Sequence, residues 1–197
     1  MWVLPSRNRP QNLERLAEAC RKTEVTTPIL LRLDEINLQH PKYNGWIVET
    51  GPCKPLSAIY NEIFAKYPDL PWYGFIADDV VPVTPNWDTL LIKAAGIDGM
   101  AVPAGGETTG GTPHFVLGGD LVRSIGWLAL PGLDRISIDT VWADIARNRG
   151  VLRFLPDVLL EHWHFSNNLA LFDNTYKKHN KDKDREIYEK WKNERGF

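Results

Sequence analysis

The chain has 197 residues, a formal net charge of −2 and 43% hydrophobic residues. This length and composition indicate one globular domain with a substantial core. The small net charge excludes a general electrostatic attraction to nucleic acid or to membrane surfaces. The two cysteines, Cys20 and Cys53, are too few for a disulfide framework. Cys20 falls on the apolar face of a helical pattern, so we expect a buried free thiol and a reducing cytoplasm.

Strand and helix patterns alternate over the first half of the chain. Strands are predicted at residues 2–5, 28–33 and 46–49, in an aromatic-rich run from Trp72 that ends at Asp78 and Asp79, and at residues 100–103. Helices are predicted between them, from residue 10, over residues 55–67 and over residues 86–95. This alternation predicts βαβ units and therefore an α/β fold with a mainly parallel sheet flanked by helices.

The pattern changes after residue 103. Residues 104–113 contain four glycines and are either a flexible connection or a lid that orders on ligand binding. An apolar run at 115–119, a helix at 139–148, an extended segment at 151–162 and a polar helix at 181–194 are predicted after it. Residues 176–197 carry eight Lys or Arg and five Asp or Glu, and we attribute this local charge of +3 to a solvated helix face.

The chain begins directly with a strand pattern, without the basic and apolar regions of a leader peptide. No segment approaches the roughly 20 apolar residues that span a bilayer. We therefore expect a soluble, cytoplasmic protein.

Two adjacent carboxylates, Asp78 and Asp79, end the buried aromatic run. Asp often caps a turn, but two unpaired charges beside a buried strand are costly unless a cation lies near them. In open α/β sheets the carboxyl ends of the strands form the ligand-binding edge. The pair therefore predicts a site for Mg²⁺ or Mn²⁺, or for the diphosphate that such an ion holds.

Other polar residues are expected at the same edge. Ser6, Arg7 and Arg9 lie in the first βα turn, and Asp34 ends the second strand. Arg offers paired donors to phosphate, and Asp accepts hydrogen bonds from a base or a ribose. Each of these residues is otherwise explained as a turn residue or a surface charge, so their convergence is the point in favour of a ligand site.

The last candidates lie in the second half of the chain. His162 and His164 are two apart on an extended segment, so both imidazoles share a face and offer ligands to Mn²⁺. Asp139 lies at the start of a predicted helix, where it serves either as a cap or as a rigid general base. Asp134 and Glu107 are the alternatives for the base.

Five motifs, taken in order, resemble a family 2-like glycosyltransferase of the GT-A fold, most like the short soluble members from bacteriophage and bacterial genomes. The resemblance covers residues 2–175. The motifs are Val3-Leu4-Pro5-Ser6-Arg7-Asn8-Arg9-Pro10, Ala77-Asp78-Asp79, Leu117-Gly118-Gly119, Ile138-Asp139-Thr140 and Glu161-His162-Trp163-His164.

The resemblance implies one GT-A domain at residues 1–175, with a nucleotide-sugar-binding half at 1–103 and an acceptor and catalytic half at 104–175. Residues 176–197 would follow as a polar helical tail. It further implies a nucleotide-diphosphate-sugar donor, with a UDP-sugar as the expected form, and Mn²⁺ or Mg²⁺. A hexosyl or pentosyl group would pass to an acceptor hydroxyl with inversion. The acceptor classes are a modified base in phage DNA, a polysaccharide or a small molecule, and a phage enzyme would act in the host cytoplasm.

The resemblance also assigns site residues. Asp79 and one of the two histidines, with His164 as the first expectation, would bind the metal, because Ala77 replaces the first Asp of the family's D-x-D motif. Asp139 would be the catalytic base, and the Gly118-Gly119 turn would line the sugar and acceptor site. The implied donor-binding residues are Pro5, Ser6, Arg7, Arg9, Asp34, Lys54, Ser57 and Asp78.

Two other functions stay open. A sugar-phosphate nucleotidyltransferase has a related sheet, but it usually carries a glycine-rich basic loop after the first strand, and the turn here has no glycine. A non-catalytic carbohydrate-binding or interaction protein is the second alternative. Slow hydrolysis of the donor in the presence of metal distinguishes a transferase from a binder.

Overall fold

A computed structural model describes residues 1–35, 45–105, 113–164, 169 and 181–196. Its strands are β1 (Trp2–Ser6), β2 (Ile29–Asp34), β3 (Trp46–Gly51), β4 (Trp72–Phe75), β5 (Val80–Pro82), β6 (Met100–Ala104), β7 (Phe115–Gly118) and β8 (Leu152–His162). Its helices are α1 (Pro10–Lys22), α2 (Leu56–Lys66), α3 (Trp87–Ala95), α4 (Gly119–Ile125), α5 (Ile138–Asn148) and α6 (Lys181–Arg195). No helix in these ranges is long and apolar enough to cross a membrane.

The strands form one mixed sheet in the order β3-β2-β1-β4-β7-β6-β8-β5. β1 to β4 run parallel, β7 enters antiparallel between β4 and β6, and β8 is parallel to β6. β5 pairs antiparallel with β8. The carboxyl ends of β1, β2, β4 and β8 therefore meet at one edge, together with the beginning of β7. The predicted α/β architecture is confirmed.

Helices cover both faces of this sheet. Val3 of β1 belongs to a core with α2, α5 and α6, in which Trp142 is fully buried. Its neighbours Trp2 and Leu4 point to the opposite face and pack with α1 and α3, where Trp87 is fully buried. Successive side chains of a strand alternate between faces, so burial on both faces accounts for the continuous apolar runs of β1 and β2.

Two sequence-based expectations need correction. The strand that was predicted to run to Asp79 ends at Phe75, and the two aspartates lie in the turn that leads to β5. The C-terminal segment is a helix with an exposed charged face, as expected, but its other side is buried, so α6 is not a separate polar tail. Trp191 is 8% exposed within the main core, and Asp184 is 0% exposed. α6 therefore packs as part of the α/β body, because its Ile187, Tyr188 and Trp191 form an apolar stripe.

Candidate functional site

A cavity of about 390 Å³ opens at the edge where the strands end. Its walls come from the β1–α1 turn, the end of β2, the start of α2, the turn before β5 and residues 134–135. Nine of the residues proposed from the sequence line it: Pro5, Ser6, Arg7, Arg9, Asp34, Lys54, Asp78, Asp79 and Asp134, the last as an alternative base. The parallel order of β1, β2 and β4 brings these distant segments together, as the alternation of strands and helices predicted.

Arg9 supplies the cation that two buried carboxylates require. Its Nη1 donates to Asp78 Oδ1 at 3.0 Å and to Asp79 Oδ2 at 3.4 Å, and all three side chains are buried. Ser6 Oγ donates to Asp78 Oδ2 at 2.5 Å. Burial and the neighbouring Asp79 raise the pKa of Asp78 despite these contacts. The sequence argument for a metal was that the two buried carboxylates require a nearby cation. Arg9 is such a cation, so it compensates part of their negative charge.

His162 faces the other side of Asp79. Its Nε2 lies 3.4 Å from Asp79 Oδ1, because Val80 and His162 are register partners in β5 and β8. Burial acts to raise the pKa of Asp79, but the contact with His162 and the electrostatic effects of His162, His114 and Arg9 together hold that pKa below its usual range. The His164 ring lies 5.1 Å from the His162 ring. The structure thus places His162 against the carboxylate, whereas the sequence argument had favoured His164.

His114 is a site residue that the sequence argument missed. It precedes β7, is fully buried and has its ring 5.1 Å from that of His162. Burial, with the charge of His162, lowers the pKa of His114 to about 3, so its imidazole is neutral at neutral pH. His114 lies at this edge because β7 runs antiparallel to β4. The direction of a strand cannot be predicted from a four-residue apolar run, so the sequence did not indicate this position.

The same antiparallel direction places Gly118 and Gly119 elsewhere. Gly118 pairs with Trp72, at the amino end of β4, whereas Phe115 pairs with Phe75 beside the site. The two glycines are therefore at the opposite edge from Asp78. A Cβ on Gly118 would lie 2.2 Å from the backbone of Ile97, which gives this glycine a packing role. The expected sugar and acceptor role of the Gly118-Gly119 turn does not agree with this placement.

Two arginines that line the cavity, Arg7 and Arg32, have hydrogen-bonded side chains. Arg7 forms an ion pair with the buried Asp34, as their shared position suggested. Arg32 was not anticipated, because it lies inside an apolar strand pattern. It is buried, donates to the Leu33 and Pro52 carbonyls, and packs where a Cβ on Gly51 would lie. These groups offer fixed donors and one carboxylate to a ligand.

Two residues implied for the donor make other contacts. Lys54 lines the cavity and forms an ion pair with Glu62. Ser57 is buried beneath the cavity and donates through Oγ to the Leu133 carbonyl, so it supports the wall and does not face the ligand. Glu107 lies outside the described residues.

Asp139 lies in the first turn of α5, as predicted. Burial raises its pKa, and the charge of His162 acts in the opposite direction. Burial raises the pKa of Tyr60, a residue of the cavity wall. The charge of Arg135 acts to lower this pKa, and the charge of Asp139 acts to raise it further. Arg135 lines the cavity, whereas Asp139 is not among the lining residues and is related to the site through its electrostatic effect on Tyr60 and through that of His162 on Asp139.

A divalent ion fits this site only in part. No three or more His, Cys, Asp or Glu side chains of the described ranges are arranged to hold an ion. Asp79 and His162 provide one carboxylate and one imidazole, 3.4 Å apart, which are suitable donors for Mn²⁺. Ions of this kind often take one or two protein ligands and complete their shell with phosphate oxygens and water. The residues present therefore fit an ion that binds together with a diphosphate.

Solved structures resemble this fold at low sequence identity. The mannosyltransferase PcManGT from Pyrobaculum calidifontis, in complex with GDP-Man and Mn²⁺, superposes with a TM-score of 0.63 and 9% identity over 81% of this chain. GalNAc-T7 with UDP, GalNAc and Mn²⁺ superposes with a TM-score of 0.61 and 15% identity over 82% of this chain. The chain spans only 55% and 43% of these two proteins.

A second kind of enzyme shares the fold at full length. A protein from Bacillus anthracis, assigned as a glucose-1-phosphate thymidylyltransferase and bound to sucrose, has a TM-score of 0.54 and 7% identity. The match covers 89% of this chain and 98% of that one. No protein-family model and no curated protein sequence matches this chain significantly. The described chain thus has the α/β fold of GT-A-like glycosyltransferases, which certain nucleotidyltransferases share.

Proposed function

We propose that this chain is a metal-assisted glycosyltransferase that moves a sugar from a nucleotide-diphosphate sugar to an acceptor hydroxyl with inversion. The observation that carries the proposal is that Arg9 and the Asp78-Asp79 pair line one cavity, with His162 against Asp79 and with Asp139 electrostatically coupled to His162. A diphosphate needs cations, and an acceptor hydroxyl needs a base. This edge offers both.

The cavity would hold the donor along its length. Arg7, Asp34 and Arg32 form a polar end that suits a nucleoside, since they present both donors and an acceptor. Ser6 and Arg9 hold Asp78 in place in the cavity wall, where a ribose or the sugar would meet its carboxylate. We take a UDP-sugar as the first donor to test.

The cation needed by the departing diphosphate would be held by Asp79 and His162. A bound Mn²⁺ or Mg²⁺ would neutralise charge on the leaving group. Arg9 contacts Asp79 and is in a position to contribute positive charge at the same place.

Asp139 would act on the acceptor. It would accept the proton of the attacking hydroxyl, and its raised pKa makes it a stronger base than an exposed aspartate. One carboxylate serving as the base implies a single displacement, and hence an inverted anomeric configuration. The acceptor would be a hydroxyl of a polysaccharide, of a modified DNA base or of a small molecule.

Ligand-induced stabilisation tests the proposal directly. Melting temperatures would be measured with a panel of nucleotide sugars, with and without Mn²⁺, because a ligand that binds only the native state raises stability by mass action. Asp79→Ala should remove the metal-dependent part of the shift while the protein stays folded. Asp69→Ala, an exposed acid before β4 at the opposite edge, is the matched control. Equal ligand shifts in both variants would contradict the assigned role of Asp79.

The sugar-phosphate nucleotidyltransferase is the second candidate, because one structural match that covers most of both chains is to a protein assigned to that class. The glycine-free turn Ser6–Arg9 argues against triphosphate binding. Incubation with a sugar 1-phosphate and a nucleoside triphosphate should release pyrophosphate only if this alternative holds. A glycosyltransferase should instead release nucleoside diphosphate slowly from the donor, and a non-catalytic binder should do neither.

A further inference from the structure

The first turn of α6 is hydrogen-bonded to residues 134–136, the segment that leads into α5. Asp184 is 0% exposed and accepts three backbone hydrogen bonds. Oδ1 accepts from the Asp134 amide at 2.6 Å, and Oδ2 accepts from the Arg135 and Ile136 amides at 2.9 and 2.7 Å. Three consecutive N–H groups aimed at one point form an anion-binding nest, and here the anion is a side chain of the same protein.

The segment of residues 134–136 forms part of the wall of the candidate donor cavity. Asp134 and Arg135 both line the cavity. Arg135 shares this lining with Tyr60 of α2 and with the Asp78-Asp79 pair, so it adds positive charge to the wall of the same cavity. A shift of the 134–136 backbone would move this cation relative to a bound diphosphate.

The other side of the segment is tied to α2. The Leu56 amide donates to the Asp134 carbonyl at 2.7 Å, and Ser57 donates to the Leu133 carbonyl. α2 therefore fixes the carbonyls of the segment, while Asp184 fixes its amides. Without the carboxylate, three buried N–H groups would lose a charged acceptor, and the segment would be held from one side only.

The same turn of α6 also adjusts the charge of the wall. Lys183 Nζ lies 2.8 Å from Asp134 Oδ1. Asp134 is a negative group in a cavity that we assign to an anionic donor, so its charge opposes binding unless a cation compensates it. Lys183 provides that cation at the rim, where both side chains are partly exposed.

We propose that Asp184 is a positioning residue of the donor site, which holds the 134–136 backbone so that Arg135 faces the nucleotide diphosphate, and that Lys183 supports it by neutralising Asp134. The proposal rests on the proposed function. It makes α6 a part of the binding site, although α6 itself contributes no residue to the cavity lining.

Calorimetric titration of UDP with Mn²⁺ present would compare wild type with Asp184→Asn. The asparagine keeps the side-chain size but replaces one acceptor oxygen with an N–H₂ group, so at least one amide loses its partner. We expect about tenfold weaker UDP affinity and faster hydrogen exchange at the amides of residues 134–136. Tyr188→Phe is the control, because it removes the 2.6 Å hydrogen bond from α6 to Asp144 without touching that segment. It should lower the melting temperature and leave UDP affinity unchanged.

A second pair of variants covers the case in which Asp184→Asn fails to fold. Lys183→Met should weaken UDP binding by about twofold, and adding Asp134→Asn should restore it, because the uncompensated charge is then gone. Unchanged affinity in both Asp184→Asn and Lys183→Met, with a wild type that binds UDP, would overturn this inference alone. A wild type that binds no nucleotide diphosphate would overturn the proposed function and this inference together. Equal affinity losses in Asp184→Asn and Tyr188→Phe would reduce Asp184 to a general stabiliser of the fold.

Discussion

Replacing Arg9 with methionine would remove the cation that Asp78 and Asp79 share while keeping an unbranched apolar stem in place. Arg9 is 8% exposed, and the two aspartates are 5% and 1% exposed. Removing one partner from a buried ion pair costs about 3–5 kcal/mol, since it leaves an uncompensated buried charge. A change of 1 kcal/mol shifts the melting temperature by about 2–4 °C in a domain of this size. We therefore expect Arg9→Met to lower the melting temperature by about 6–20 °C.

The loss should depend on pH in a defined direction. Burial and Asp79 raise the pKa of Asp78, while Arg9 lowers it, so Arg9→Met should raise that pKa further. A carboxyl group whose pKa is raised on folding is destabilising above that pKa, and the penalty disappears as the group takes up a proton. The stability difference between wild type and Arg9→Met should therefore be largest near neutral pH and shrink as the solution is acidified.

Urea denaturation followed by tryptophan fluorescence, at neutral and at mildly acidic pH, would measure both effects. Arg21→Met is the matched control, because Arg21 lies at the other end of α1 in an exposed ion pair with Glu18. That control should be close to wild type at either pH. If Arg9→Met lost no more stability than Arg21→Met, or if its deficit grew on acidification, the buried ion pair would not have the role described for it.

Three further outcomes are expected at the site. Asp139→Asn should lower turnover by about a hundredfold or more with little change in donor affinity, and full activity would exclude Asp139 as the base. Because burial raises the pKa of Asp139, the variant should also have a higher melting temperature than wild type near neutral pH, and this difference should disappear on acidification. In titrations of Mn²⁺ with UDP present, His162→Ala should weaken metal affinity by at least about tenfold and His164→Ala by much less, and the reverse order would restore the original sequence-based preference. N-ethylmaleimide should modify the exposed Cys53, which lines the cavity, and UDP should slow this modification; if UDP does not slow it, the nucleotide binds elsewhere. Cys20 is the internal control and should stay unmodified, because burial raises the pKa of its thiol to about 12.

Much of the edge could be predicted from local sequence. Alternating strands and helices imply parallel strands, and parallel strands bring their carboxyl ends together, so Ser6, Asp34 and Asp78 could be assigned to one site without knowledge of the fold. Asp79 was predicted there together with Asp78, Lys54 was placed there by the family resemblance, and both line the cavity. For these residues, the position in the sequence relative to the predicted strands and motifs was enough to assign them to the site.

The rest depended on contacts that local patterns do not carry. The direction of β7 decides whether His114 or Gly118 reaches the site, and a short apolar strand reads the same in both directions. Arg9 could be recognised as a phosphate ligand, but not as the partner of two buried aspartates about 70 residues away. The burial of Asp184 depends on three amides that lie 48 to 50 residues earlier in the chain. Such pairings follow from the complete tertiary structure.

The cavity walls come from segments far apart in the chain, and this affects how folding and ligand binding are coupled. The Ser6–Asp78 and Ser57–Leu133 hydrogen bonds join residues 72 and 76 positions apart. Long-range contacts of this kind form late, after the cost of closing large loops has been met. We therefore expect a partly folded chain to lack the cavity, so that the ligand does not act as a template for early folding. Its effect should fall on the unfolding rate, so a bound nucleotide would lengthen the lifetime of the native state while leaving the rate of folding nearly unchanged.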